Sequence, residues 1–277
     1  MKDNSFSLAL TSDVYRLRKL KSVWISLIIM FVLTFLSFAA YWIGIRIVNA
    51  TPPEQAPEIG ATVHFLNTFA TSMLFGSSST VNVELFIAIV ACIFIGKDFS
   101  CGYIALTTAR GTKRVNTYFS KWLSLVCLLI VYMCFALLLS GIFFAISGSP
   151  GGFTGANFAT LMRNFALQLL AGIASVSIFV MINFLCRSTG TSIATSIALY
   201  LLLNIIVSVI TTILSIDNTD GNNLDWTIFL PMQQTSIATS ADKLSTAEVV
   251  AATVMPIVYT AIATLIGYFT FEKRDIK

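Results

Sequence analysis

Five apolar stretches, each of 23 to 25 residues and without a single Asp, Glu, Lys or Arg, constrain the fold of this chain more than any other feature. A helix of about 20 apolar residues is long enough to cross the roughly 30 Å hydrocarbon core of a bilayer. Helices suit that environment because each one satisfies its own backbone hydrogen bonds, whereas a membrane barrel would show shorter, alternating segments. The sequence therefore predicts an all-α, polytopic membrane protein with spans at 23–45, 122–146, 164–186, 193–216 and 249–271.

The stretch 83–96 is shorter and includes Glu84, so its length alone does not decide whether it crosses the membrane. Lys and Arg concentrate on the cytoplasmic side of membranes. If 83–96 crosses, the basic segment 1–22 and the basic loop 97–121 lie on that same side. The six-span topology places 14 basic and 5 acidic residues inside and 3 basic and 8 acidic residues outside, in agreement with the net charge of +4. We therefore expect one transmembrane domain over 1–277, multi-pass in the plasma membrane, with both termini in the cytoplasm.

The composition and the missing motifs exclude several classes of protein. Charged residues make up 11% of the chain, against roughly 25% in an average soluble domain, which excludes a soluble enzyme, a disordered chain and a disulfide-stapled secreted module. The single histidine, His64, falls in a predicted outer loop, and no cluster has the spacing of a metal site. The pair Gly96-Lys97 lacks the preceding glycine of a phosphate-binding loop. We expect no enzymatic activity, no cofactor held by this chain and no nucleic-acid partner.

Residues 6–21 precede the first span and have the pattern of an amphipathic helix. Apolar residues recur there at steps of four and three, at Phe6, Leu10, Val14 and Leu17. Such a helix lies in the headgroup plane of a membrane, with lipid as its partner. The alternative is a basic anchor that only determines the topology.

The loop 96–121 carries a pattern of glycine, acidic and basic residues. It resembles the corresponding loop of ABC-2-type ABC transporter permeases, the membrane subunits of exporters, at Gly96, Asp98, Gly102, Arg110, Arg114, Ser120 and Lys121, with Tyr103 in place of the usual Thr. The order of elements is also similar. It consists of an N-terminal interfacial helix, six spans, a cytoplasmic coupling helix between spans two and three, and a large outer segment between spans five and six.

This resemblance implies a function and a set of partners. The chain would be the permease domain of a bacterial ATP-driven exporter for a peptide, an antimicrobial or a lipid-like compound. It would pair with an identical or sister permease and with two copies of an ABC ATPase, which binds the ATP and Mg²⁺. Two other classes stay open: a non-transporting membrane sensor or scaffold, and an ion-driven secondary carrier. The carrier is disfavoured because Glu84 is the only charge within the six spans.

The same loop predicts how an ATPase would couple to the spans. We expect a short helix over 99–109 that lies along the membrane. Gly96 and Gly102 would allow the sharp turn out of the second span, since glycine adopts backbone angles closed to other residues. The carboxylate of Asp98 would cap the N-terminus of the short helix and suit its dipole.

Four further residues of the loop complete the predicted coupling element. Tyr103 would face a groove in the ATPase, and Lys121 opens the third span. Arg110 and Arg114 would bind lipid phosphates or acidic residues of the ATPase, because guanidinium groups match the geometry of such anions. The alternative is that 97–121 is a basic loop that only follows the positive-inside rule.

A second, smaller site is predicted at the start of the second span. Asn82 and Glu84 are polar, and polar residues at this depth avoid lipid and face protein or water. We expect both side chains to line the outer end of a pathway at a dimer interface. A solvated helix end is the alternative.

Overall fold

The computed structural model describes residues 5–50, 83–109, 111–147, 155–217 and 246–273. Every regular element in these ranges is an α-helix. The helices are α1 (Ser5–Lys19), α2 (Lys21–Ala50), α3 (Val83–Ser100), α4 (Tyr103–Ala109), α5 (Arg114–Ser147), α6 (Gly155–Cys186), α7 (Thr189–Asp217) and α8 (Thr246–Lys273). The predicted all-α class is confirmed for this part of the chain.

Several of these helices are long and apolar enough to cross a membrane. Three qualify on their own, within α5, α6 and α8. Two bent pairs also qualify if each pair is one span: α1 with α2, at an angle of 55°, and α3 with α4, at 60°. The described residues therefore contain three to five candidate spans, which is consistent with a membrane protein.

The helices around the loop 96–121 begin and end at other residues than predicted. α3 continues past Gly96 to Ser100, so the predicted helix over 99–109 is wrong at its start and α4 begins only at Tyr103. Phe99 explains the extra turn of α3, because its ring packs edge-to-face on Phe184 of α6 with 5.5 Å between the ring centroids. The helix of the predicted third span also starts earlier, at Arg114.

The core lies where α3, α5 and α6 pack together. α3 also contacts α7, α8 lies along α6, and α1 packs against α5. Large side chains with almost no solvent exposure fill this core: Phe94, Tyr118, Leu125, Tyr132, Phe184 and Phe271. Because α1 is held against α5, polar side chains of α1 reach the buried end of α3 and form the site described next.

Candidate functional site

Four charged side chains meet where α1, α3 and α5 converge, and together they form what we call the ion network: Asp13, Arg16, Asp98 and Lys121. The two acids and two bases balance to a net charge of zero. Three of the four side chains are at most 5% exposed, and only that of Arg16 reaches solvent, at 34%. Buried charges are tolerated when they are paired and hydrogen-bonded, which is the arrangement here.

Lys121 is the centre of the ion network. Its ammonium group, on α5, is fully buried and donates to Asp13 Oδ1 of α1 at 3.2 Å. It also pairs closely with Asp98 Oδ2 of α3. The neighbouring Ser120 hydroxyl donates to Asp13 Oδ2 at 2.6 Å, so both oxygens of that carboxylate accept hydrogen bonds.

Arg16 links α1 to α3 and α4. Its guanidinium binds both carboxylate oxygens of Asp98, one of them through Nη1 at 3.1 Å. The ring of Tyr103, the first residue of α4, lies 3.9 Å from Arg16 Cζ, within the range of a cation–π contact. Partial burial lowers the pKa of Arg16, but the hydrogen bond and charge of Asp98 outweigh it and raise that pKa above its usual value. Arg16 therefore stays charged.

The ion network connects three helices and, through Tyr103, the short helix α4. α4 is anchored from the other side by Ile104, which is buried in the core. A buried ion pair resists separation, because taking one partner away leaves an uncompensated charge. The ion network therefore holds α1, α3 and α5 together. Among the described residues, no group of His, Cys, Asp and Glu could hold a metal.

Asp98 has a different role from the predicted one. It does not cap α4; it lies in the last turns of α3, and its carboxylate is buried between Arg16 and Lys121. The predicted role is wrong because α3 is longer than expected. Asp98 lies within this helix and is buried there, and the chain turns only after Ser100.

The sequence pattern did not predict a site role for Asp13 or Arg16, although a signal for Asp13 was present. Asp13 is three residues after Leu10 and four before Leu17, so it lies on the apolar face of an otherwise amphipathic helix. An acid in that position needs a buried cation as partner.

The two predicted turn glycines behave differently. Gly102 has a φ of +66°, in the left-handed region, as the prediction requires. Gly96 does not turn; it lies within α3, and the prediction for it is wrong. A Cβ at Gly96 would lie 2.7 Å from the Cα of Thr189, the first residue of α7. Gly96 is therefore a point of close contact between α3 and α7.

Gly102→Val is expected to lower the free energy of unfolding by about 1–2 kcal/mol, because a left-handed backbone is strained for a residue with a Cβ. No atom lies within 4 Å of that Cβ position, so strain and not collision sets the cost. Gly102→Asn should cost less, since Asn visits this region more readily. Unfolding curves in detergent test this. Equal effects of Val and Asn would contradict it.

Arg114 lies at the other end of the same loop. Its Nη1 donates to the backbone carbonyl of Glu272 at 2.7 Å, which joins the start of α5 to the end of α8. Two other predicted site residues, Arg110 and Asn82, lie outside the described residues.

Glu84 occupies the first turn of α3, far along the helix from the ion network. Its Oε1 atom is buried and has no hydrogen-bond partner within the described part of the chain. This burial argues against a solvated helix end. Whether Glu84 lines a pathway stays a prediction.

The described helices are consistent with an α-helical membrane protein, in which the ion network connects the N-terminal helix to the core. The chain belongs to the family described as Protein of unknown function (DUF2705), whose model matches residues 60–277. No curated protein matches the sequence.

The assignment of the loop 96–121 to the ABC-2-type permeases is wrong, because the family model that matches is that of DUF2705. The structure suggests why the resemblance misled. Gly96 is required by the contact with Thr189, and Asp98 and Lys121 neutralise each other in the ion network. Packing contacts of this kind can produce the same few glycine and charged positions in proteins that belong to different families.

Proposed function

We propose that this chain is the transmembrane subunit of an ATP-driven exporter whose ATPase is a separate chain, and that it moves a peptide, an antimicrobial or a lipid-like compound out of the cell. The observation that carries the proposal is the position of α4. This seven-residue helix turns away from α3 by 60° and is held to the core by Tyr103 and Ile104.

The proposed topology has six spans, formed by α2, α3, α5, α6, α7 and α8, with both termini in the cytoplasm. Two contacts support it. The pairing of Asp13 with Lys121 holds the N-terminal helix at the start of α5, and the bond from Arg114 to Glu272 holds the end of α8 there too. These contacts support a topology with both ends of the described chain on one side, and the excess of Lys and Arg there favours the cytoplasmic side.

The ion network would transmit motion from α4 to the spans. The side chain of Leu106 is 50% exposed on α4 and offers an apolar contact to a partner. Displacing α4 would shift Tyr103 against Arg16, and Arg16 is bonded to Asp98 of α3. Because the buried charges separate only at high cost, α1, α3 and α5 would move together.

In the proposed assembly the chain itself binds no nucleotide. Two copies of the ATPase would bind ATP and Mg²⁺ and would close on each other when ATP binds. A second membrane subunit, identical or similar, would complete the pathway. The proposal requires only that α4 docks in a groove of each ATPase.

Leu106→Arg is expected to weaken ATPase binding by a factor of about 30, the value of a typical interface anchor of about 2 kcal/mol. A charged side chain on the exposed face of α4 cannot enter an apolar groove. The measurement is co-purification of a P-loop ATPase with the chain from native membranes, followed by ATP hydrolysis and export in proteoliposomes.

Val115→Arg is the matched control, because Val115 is an exposed apolar residue at the start of α5, outside α4. It introduces the same charge and should leave ATPase binding unchanged. Equal losses of ATPase binding in the two variants would show that α4 is not the docking element. If no P-loop ATPase accompanies the wild-type chain, the proposed function is overturned.

An ion-driven carrier is the second candidate, and the burial of Glu84 favours it. One oxygen of the Glu84 carboxylate, Oε1, is buried without a hydrogen-bond partner in the described chain, and ionisable groups inside a membrane mark ion and proton pathways. Transport driven by an ion gradient, in vesicles that contain this chain alone and no ATP, would favour the carrier and contradict the ATP-driven exporter. A chain that supports neither kind of transport would point to the sensor or scaffold.

A further inference from the structure

A cleft of about 430 Å³ opens at the bend between α1 and α2, beside the last turn of α3. It adjoins the ion network but extends away from it, toward the first turn of α2. The residues that line the cleft include charged and polar ones and two aromatic residues, Tyr15 and Phe94.

The cleft carries an excess of positive charge. Its lining includes Arg16, Lys19, Lys21 and Lys97, and the one acid among them is Asp98. That carboxylate is already bound to Arg16 and Lys121. The three lysines are exposed and make no ion pair within the described residues, so three positively charged residues line the cleft without an acidic partner.

The start of α2 borders the same cleft, since Lys21 and Ser22 line it. Leu20, which precedes this 30-residue helix, has no side-chain oxygen to cap it. The N–H of Val23 is already bonded to the carbonyl of Leu20 at 3.1 Å, but the N-terminus of α2 still has the positive partial charge that attracts an anion. The hydroxyl oxygen of Ser22, also in the lining, is buried and has no hydrogen-bond partner in the described chain.

An apolar surface continues from the cleft along α2. Residues three and four apart share a helix face, so Ile25, Ile28 and Val32 follow Lys21 along one side of α2. Each of these three side chains is more than half exposed. A ligand that fills the cleft and covers this stripe has an anionic head and an apolar tail.

We propose that the cleft binds the phosphate headgroup of an anionic membrane phospholipid, with an acyl chain along Ile25, Ile28 and Val32. Basic pockets between membrane helices are suited to such headgroups. An acidic segment of a protein would match the lysines but would leave the apolar stripe uncovered. The proposal needs the chain in a membrane and does not depend on an ATPase.

Binding of fluorescent phosphatidylglycerol to the detergent-solubilised protein tests the site. The triple variant Lys19→Gln, Lys21→Gln and Lys97→Gln should bind this lipid on the order of 100-fold more weakly, since each basic residue near an anionic headgroup contributes a factor of about five. The control variant Arg18→Gln, Lys113→Gln and Lys273→Gln loses the same charge outside the cleft. It should keep its affinity within a factor of about three. The single variant Lys97→Gln, expected to lose about fivefold, serves if the triple variant does not fold.

Competition separates a lipid from a free anion. Unlabelled phosphatidylglycerol should displace the probe, whereas phosphatidylcholine and inorganic phosphate at the same concentration should not. Displacement by inorganic phosphate at that concentration would show a site for free anions and overturn the lipid assignment. Equal losses in the two triple variants would show non-specific attraction and overturn the site. Equal binding of phosphatidylglycerol and phosphatidylcholine would also overturn it.

Discussion

Lys121→Met is expected to lower the free energy of unfolding by about 3–5 kcal/mol, the usual cost of removing one partner of a buried ion pair. Methionine fills a similar volume, so the loss comes from charge and not from a cavity. Without the ammonium group, Asp13 loses its closest cation, because Arg16 Nη1 is 3.8 Å from its Oδ1. Asp98 keeps only Arg16. The measurement is equilibrium unfolding in mixed micelles.

Two further variants show whether the cost arises from the ion network. Lys113→Met removes an exposed lysine from the loop before α5 and should change stability by less than about 0.5 kcal/mol. The double variant Lys121→Met with Asp13→Asn restores neutrality and leaves the pair of Arg16 and Asp98 intact. It should be more stable than the sum of the single effects predicts, with a coupling energy of about 1–3 kcal/mol. Strict additivity would show that Lys121 and Asp13 do not interact.

Gly96→Ala is expected to cost about 1–3 kcal/mol, the usual range for overpacking, although alanine is the better helix former. The new methyl group would lie 2.7 Å from both Cα and Oγ1 of Thr189, so α3 and α7 must move apart. Thr189→Gly removes the hydroxyl but keeps the Cα. We therefore expect this second change to rescue only part of the loss.

Gly190→Ala is the control for the contact of Gly96. It lies in the first turn of α7, and no atom is within 4 Å of its Cβ position. Its effect on unfolding should be neutral or slightly stabilising. A neutral Gly96→Ala, or a complete rescue by Thr189→Gly, would show that the backbones of α3 and α7 are further apart than described.

The helical class of this protein follows from local features of its sequence. Long apolar runs predict helices because a helix satisfies its backbone within one segment, and this local property does not depend on neighbours. The same holds for the turn at Gly102, which needs only backbone angles that glycine allows. The start of α4 could not be predicted in the same way. It depends on the extra turn of α3, and that turn depends on the contact of Phe99 with Phe184, a residue 85 positions later in the sequence.

The roles of the charged residues depend on how the helices pack against one another. A lysine at the end of an apolar run has the same sequence pattern whether it extends to the headgroups or is buried. Lys121 is buried because α1 brings Asp13 to it from 108 residues away, and Arg16 reaches Asp98 across 82 residues. Pairings at such separations depend on how the helices pack. For that reason the sequence predicted that Asp98 and Lys121 belong to a functional loop. In the structure, the packing of α1 against α3 and α5 brings both residues into one buried ion network.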